Sequence, residues 1–120
     1  QTCALPISTA RAFGEQITHE QVRFGGDAPA AAGSLPANPW GFREMHGNVW
    51  EWCADYYGDY PKDAGAGAQE PAALSGDPSR VVRGGGWSND ESYSRSAFRG
   101  HGVPGFALNF IGFRVARTYF

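Results

Sequence analysis

Apolar and polar positions along this chain alternate in short bursts, not in long periods, which predicts short strands joined by long loops. Thr18, with Gln21 three residues on, matches a capping box ahead of Val22 and Phe24, so a short helix of about two turns is expected there. The pattern ends at Gly25 and Gly26. Residues 27–38 are rich in Ala, Pro and Gly and read as a loop. Asn38, Pro39, Trp40 and Gly41 together are turn chemistry. From 45 to 52 aromatic and small residues alternate, which predicts extended chain. In that conformation Trp50 and Trp52 share one face, and Val49 and Glu51 the other. Residues 58–77 form a second Gly/Ala/Pro-rich loop. Residues 80–83 (Arg-Val-Val-Arg) predict a strand stopped by Gly84, Gly85 and Gly86. A further strand is expected over 92–99. Residues 100–110, with three glycines and Pro104, read as a loop, and 111–116 as a final strand. Neither an internal repeat nor a heptad pattern is present.

Composition sharpens this picture. The 120 residues suit one domain or part of one. Charged residues make up 18%, below the roughly 25% of an average domain. In their place stand 17 Gly, 8 Pro, 8 Phe, 5 Tyr and 4 Trp. Such a chain turns on its glycines and fills its core with rings. A net charge of -2 gives no electrostatic reason to expect nucleic acid or an anionic membrane as partner. No apolar run approaches the roughly 20 residues of a membrane span. Residues 1–7 (QTCALPI) resemble a translated sequencing adapter, so the domain is expected to occupy 8–120, from a coding sequence cut at its 5′ end. Of the two cysteines, Cys3 falls in that stretch, and a disulfide framework needs more than the two. Compartment stays open.

A glutamate between two tryptophans needs compensation, because a buried charge requires a partner or a metal. From spacing alone, Glu44 and Glu51 pair either with a cation or with arginines such as Arg43, Arg83 or Arg114. His19, His46 and His101 read as ordinary packed or surface histidines. Gly84–Gly86 lack the helix and Lys-Ser/Thr element of a phosphate loop, so they read as a turn.

Three segments together resemble the sulfatase-modifying-factor, or formylglycine-generating-enzyme, family: residues 38–52 (NPWGFREMHGNVWEW), 80–87 (RVVRGGGW) and 111–117 (IGFRVAR). Residues 13–24 also match. The resemblance implies an α+β, C-type-lectin-like fold of the formylglycine-generating type, with short strands and long loops. This sequence would be the C-terminal part of that domain. It also implies a structural calcium ion held by the Glu44 and Glu51 carboxylates and the Gly47 and Val49 carbonyls, a hard-oxygen mixture that suits calcium. A second calcium site of the family expects Asn near position 23, where Arg23 stands.

The family's oxidases use copper(I) held by two cysteines after the glycine turn, since soft copper(I) selects thiolates. Here residues 87–99 contain no sulfur; one copper position falls near Asn89 and the other near residues 92–94. Copper-dependent chemistry is therefore not expected. The resemblance then implies a non-copper member acting as a ligand-binding or accessory module. The alternative is a domain of an enzyme, an iron-dependent sulfoxide synthase or a formylglycine-generating oxidase, whose metal site lies in sequence outside this chain. Retroelement-diversified relatives vary the surface just before Gly-Phe-Arg, which corresponds to 88–110 here. The expected ligand contacts are Trp87, Ser88, Asn89, Asp90, Tyr93, His101, Phe106, Leu108 and Phe110, facing a protein or small-molecule partner. Val103 belongs to the same apolar surface. The plain alternative is that these rings pack against the rest of the domain.

Overall fold

The two longer strands form where β-branched and aromatic residues run together without glycine. A computed structural model describes residues 9–60 and 79–116. Its elements are β1 (Trp50–Tyr56), β2 (Arg80–Arg83), a 3-10 turn (Glu91–Ser94), β3 (Gly100–Gly102) and β4 (Ile111–Gly112). They make one sheet in the order β3-β2-β1-β4. The β1/β2 and β2/β3 pairs are antiparallel, and β1/β4 is parallel. Glu51 pairs with Arg83 and Trp52 with Val82, after which the register shifts before Tyr56 meets Arg80.

Trp50 and Trp52 do share a face, and what they cover explains two glycines. Val82 pairs with Gly100, and Arg80 with Gly102. A Cβ on Gly100 would lie 3.2 Å from the Trp50 ring, and one on Gly102 would lie 2.9 Å from the Trp52 ring. Two large rings on β1 thus reach across β2 to bare backbone on β3. Trp50 is buried together with Val81 and Val82, and Ile17 and Val22 close the core from the N-terminal segment.

Several sequence expectations change. No helix forms after Thr18: the Gln21 side chain does accept the Thr18 N–H at 3.1 Å, but the chain makes a single turn with Gln21 and Val22 donating to the Thr18 carbonyl. With Gly25 and Gly26 so close, no second turn follows, and a lone turn has too few bonds to propagate. Extended chain begins only at Trp50, because Glu44, Gly47 and Asn48 have φ of 58°, 70° and 65°. The strand expected over 92–99 is a 3-10 turn capped by the Asp90 side chain, which accepts from the Ser92 amide. The third strand instead falls at Gly100–Gly102, inside the stretch read as loop. There the glycines are needed for the tryptophan rings, and they cost the sequence signal. The final strand is only two residues, Ile111–Gly112. Most of the second Gly/Ala/Pro loop lies outside the described residues.

Loop segments are bound to one another as tightly as the strands. Asn48 is 6% exposed, and its amide, carbonyl and side-chain oxygen are all used. Its amide donates to the Arg23 carbonyl (2.8 Å), its carbonyl accepts the Trp87 amide (2.7 Å), and its Oδ1 accepts the Ala30 amide (2.8 Å). Beside it the Gly47 amide donates to the Gly84 carbonyl at 2.6 Å. Gly25 and Gly26 donate to the carbonyls of Asn89 and Trp87, both at 2.7 Å. A Cβ on Gly47 would sit 2.4 Å from the Arg23 carbonyl oxygen and 2.6 Å from Val22 Cγ1. Gly47→Ala should therefore cost about 3 kcal/mol or more, from the left-handed backbone and the backbone clash together. Denaturant titration measures this; a loss under about 1 kcal/mol would show that the segment yields freely.

Candidate functional site

The expected calcium ligands run from the turn before β1 to Glu51 within it, and the structure gives each carboxylate to protein donors. Glu44 takes a left-handed conformation, and its Oε2 accepts the Gly33 amide (3.0 Å). Its Oε1 accepts the amides of Ser34 (3.1 Å) and Leu35 (3.4 Å). Glu51 pairs with Arg114: Nε to Oε2 at 3.0 Å and Nη2 to Oε1 at 2.5 Å. This bond raises Arg114 above the usual arginine value. Nη2 also donates to the carbonyls of Arg43 (3.0 Å) and Glu44 (3.4 Å). Gly47 is buried and Val49 half-buried beside them. Calcium needs about six to eight oxygens turned to one open point. The four carboxylate oxygens here accept N–H groups from two different parts of the chain, those of Glu44 from residues 33–35 and those of Glu51 from Arg114, so the two carboxylates serve different partners. Of the arginines considered as alternatives, Arg114 makes the pair. Arg43 donates to the Leu35 carbonyl at 2.5 Å, and Arg83 to the Ser96 carbonyl (2.9 Å) and the Tyr60 hydroxyl (3.0 Å). Arg23 donates Nε to the Ala28 carbonyl at 2.8 Å.

The expected ligand contacts separate into two groups. Asn89 Oδ1 accepts the Trp50 indole N–H (2.8 Å) and the Gly86 amide (3.2 Å). Tyr93 packs edge-on to Trp50 with centroids 6.1 Å apart, and against Phe98 at 4.9 Å. Asp90 caps the 3-10 turn, and the bonds from Ser92 hold its carboxyl below the usual carboxylate value. Trp87 gives its indole N–H to the Asn109 carbonyl at 3.5 Å, and the Phe110 carbonyl accepts the Trp50 amide at 2.8 Å. These five hold the fold. Ser88, His101, Val103, Phe106 and Leu108 are exposed, with Phe106 at 60%. His101 stacks on Tyr57 at 4.3 Å, and the Arg99 guanidinium lies over Tyr57 and Tyr60. The run between β3 and β4 is thus apolar, outward-facing and anchored at both ends by strands. Cys53 lies half-buried on β1. Among the described residues no three His, Cys, Asp or Glu side chains converge as a metal cluster.

Two buried groups carry no signal in the sequence. His46 is 3% exposed. The Ala12 amide donates to its Nε2 (3.0 Å), so Nδ1 carries the hydrogen and donates to the Ser94 carbonyl at 2.7 Å. Arg11 is 5% exposed and donates to the carbonyls of Glu15 and Glu91, both at 2.6 Å. Together they tie the N-terminal segment to the 3-10 turn.

Comparison with known proteins now places the chain. The model of the sulfatase-modifying factor enzyme 1-like domain matches residues 8–119, and the chain belongs to that family. It is 36% identical over 105 residues to the serine/threonine-protein kinase pkn1 of Chlamydia caviae, covering 87% of this chain and 17% of that one. It is 30% identical over 103 residues to the formylglycine-generating enzyme of Thermomonospora curvata, covering 82% of this chain and 34% of the enzyme. Among solved structures it resembles Treponema denticola variable protein 1, with a TM-score of 0.67, 26% identity, and coverage of 78% of this chain and 34% of that one. PvdO from Pseudomonas aeruginosa gives 0.66, 28%, 80% and 38%. The fold is the C-type-lectin-like α+β fold of the formylglycine-generating type. The chain spans between about a sixth and two fifths of the length of these relatives. Among the described residues, no helix is long and apolar enough to cross a membrane.

Burial lowers the His46 pKa first of all, the bond to the Ser94 carbonyl opposes this, and the charge on Arg11 adds to it. The folded chain therefore favours the neutral ring. Its contribution is fully present above the unfolded value of about 6.5 and is lost as pH falls from there toward the lower folded value. One proton sets a slope of up to about 1.4 kcal/mol per pH unit in that window. Thermal melts from neutral to mildly acidic pH should show the midpoint falling. A midpoint that stays level or rises would contradict the neutral, doubly bonded ring.

Proposed function

We propose that this domain is a non-copper member of its family that works as a ligand-binding or accessory module, presenting the run between β3 and β4. One observation carries this reading. The structure ties residues 87, 89, 90, 93 and 110 into the fold and leaves Val103, Phe106 and Leu108 exposed between two strands. Exposed apolar clusters on a fixed framework mark contact surfaces. The partner that fits is a protein surface or small molecule with an apolar or aromatic face. Stacking with the His101–Tyr57 pair, beside the Arg99 guanidinium, adds a polar edge to the same end of the sheet. Residues 87–99 offer no thiolate, and Asn89, near one expected copper position, is bonded to Trp50 and Gly86. The similarity to Treponema denticola variable protein 1 supports a display role.

A second reading has its own support. The chlamydial kinases share this stretch as 17% of their length, so the same domain serves there as one part of a larger protein. In that setting the exposed run would dock onto, or help shape, a catalytic unit outside this chain.

The double substitution Phe106→Ser with Leu108→Ser tests the common premise. Exposed residues change stability by about 0.5 kcal/mol or less, so the thermal midpoint should stay within about 3 °C of the parent. Peptide and glycan arrays probed with both proteins should show ligands held by the parent and lost by the variant. A fall of the midpoint by more than about 8 °C would show that these rings are packing residues and would remove the binding surface.

A further inference from the structure

The cradle before β1 already contains a cation. Glu51 stands on the face of β1 opposite Trp50 and Trp52, and its backbone partner on β4 is Gly112. Arg114 lies two residues past Gly112. A Cβ on Gly112 would lie 3.2 Å from Val49 Cγ2, and past this bare position the guanidinium folds back onto the carboxylate. There it meets four oxygens: both of Glu51 and the carbonyls of Arg43 and Glu44. Two carboxylate oxygens and two main-chain carbonyls are the kind of donor set that a hard cation collects. A planar guanidinium binds the same set with direction, through paired N–H bonds.

We infer that Arg114 is the resident cation of this cradle, a positive charge covalently tethered to the chain that takes the Glu51 carboxylate, one of the four ligands the family resemblance implies for calcium. The Glu51–Arg114 pair joins the turn 43–44, β1 and the segment after β4 without a metal. It is half exposed, with side-chain exposures of 21% and 38%, so its hold depends on the two added carbonyls and on paired geometry as well as on charge. Arg114 thereby engages both oxygens of the Glu51 carboxylate, while the Glu44 carboxylate is turned to the amides of residues 33–35.

Four versions of the full chain test this: parent, Arg114→Ala, Glu51→Gln and the double variant, each melted in EDTA and in millimolar calcium. The parent midpoint should be the same in both. Each single variant should fall by about 3–6 °C, and the double variant should fall no further than the lower single, because one interaction has been removed. Terbium, a calcium-sized probe excited through neighbouring tryptophans, should give no sensitised emission with the parent. That measurement needs no variant to fold. A calcium-dependent rise of the parent midpoint that Glu51→Gln abolishes, terbium emission from the parent, or additive losses in the double variant would each overturn the assignment.

Discussion

The fold hangs on a turn that only a few residue types can make. Gly47 and Asn48 both adopt left-handed backbone, and there three separate stretches of chain meet, at residues 23, 30 and 84–87. Left-handed backbone costs an ordinary residue about 1–2 kcal/mol, glycine almost nothing, and asparagine less than most. In return the turn aims two amides, a carbonyl and a side-chain amide oxygen at loops that have no sheet of their own. Buried backbone groups must be paired, and in this chain loops pair with loops. The short sheet is therefore one component of the scaffold, and the bonded loops are the other.

From that turn the chain enters β1, whose two faces do different work. One face sends Trp50 and Trp52 over bare β3 backbone, and the Trp50 indole reaches Asn89, so the loop after the glycine turn is pinned to the core. The other face sends Glu51 to Arg114 and pins the segment after β4. With both flanks fixed, the stretch between β3 and β4 is left with apolar side chains that the fold does not use. A contact surface held this way keeps its shape while its residues change, which is how loops on a rigid frame acquire binding roles.

Much of this was legible in the sequence, and the failures are specific. Segments 38–52, 80–87 and 111–117 fixed the family and the fold class, because their glycines and tryptophans answer close approaches that few substitutes satisfy. The arginine partner of Glu51 was among the expected alternatives. What pattern reading missed was β3, since Gly100 and Gly102 look like loop residues until the rings they accommodate are known. It also predicted a helix at Thr18 from a capping box whose side-chain bond forms without a helix behind it. Buried His46 and Arg11 were invisible because their partners are backbone groups of Ala12, Ser94, Glu15 and Glu91, which no side-chain motif announces. The apolar run 103–108 was found, but its separation from the structural residues 87, 89, 90, 93 and 110 required the geometry.

The most direct test of a scaffold made from bonded loops is residue-resolved hydrogen exchange of the folded chain. Strand amides opening only with the whole structure set the reference for protection. The account predicts that the amides of Gly47, Asn48 and Trp87 exchange about as slowly as those of Val81 and Val82, while the amides of Ala107 and Leu108 exchange fast. Rapid exchange at Gly47, Asn48 and Trp87, with Val81 and Val82 still protected, would contradict it.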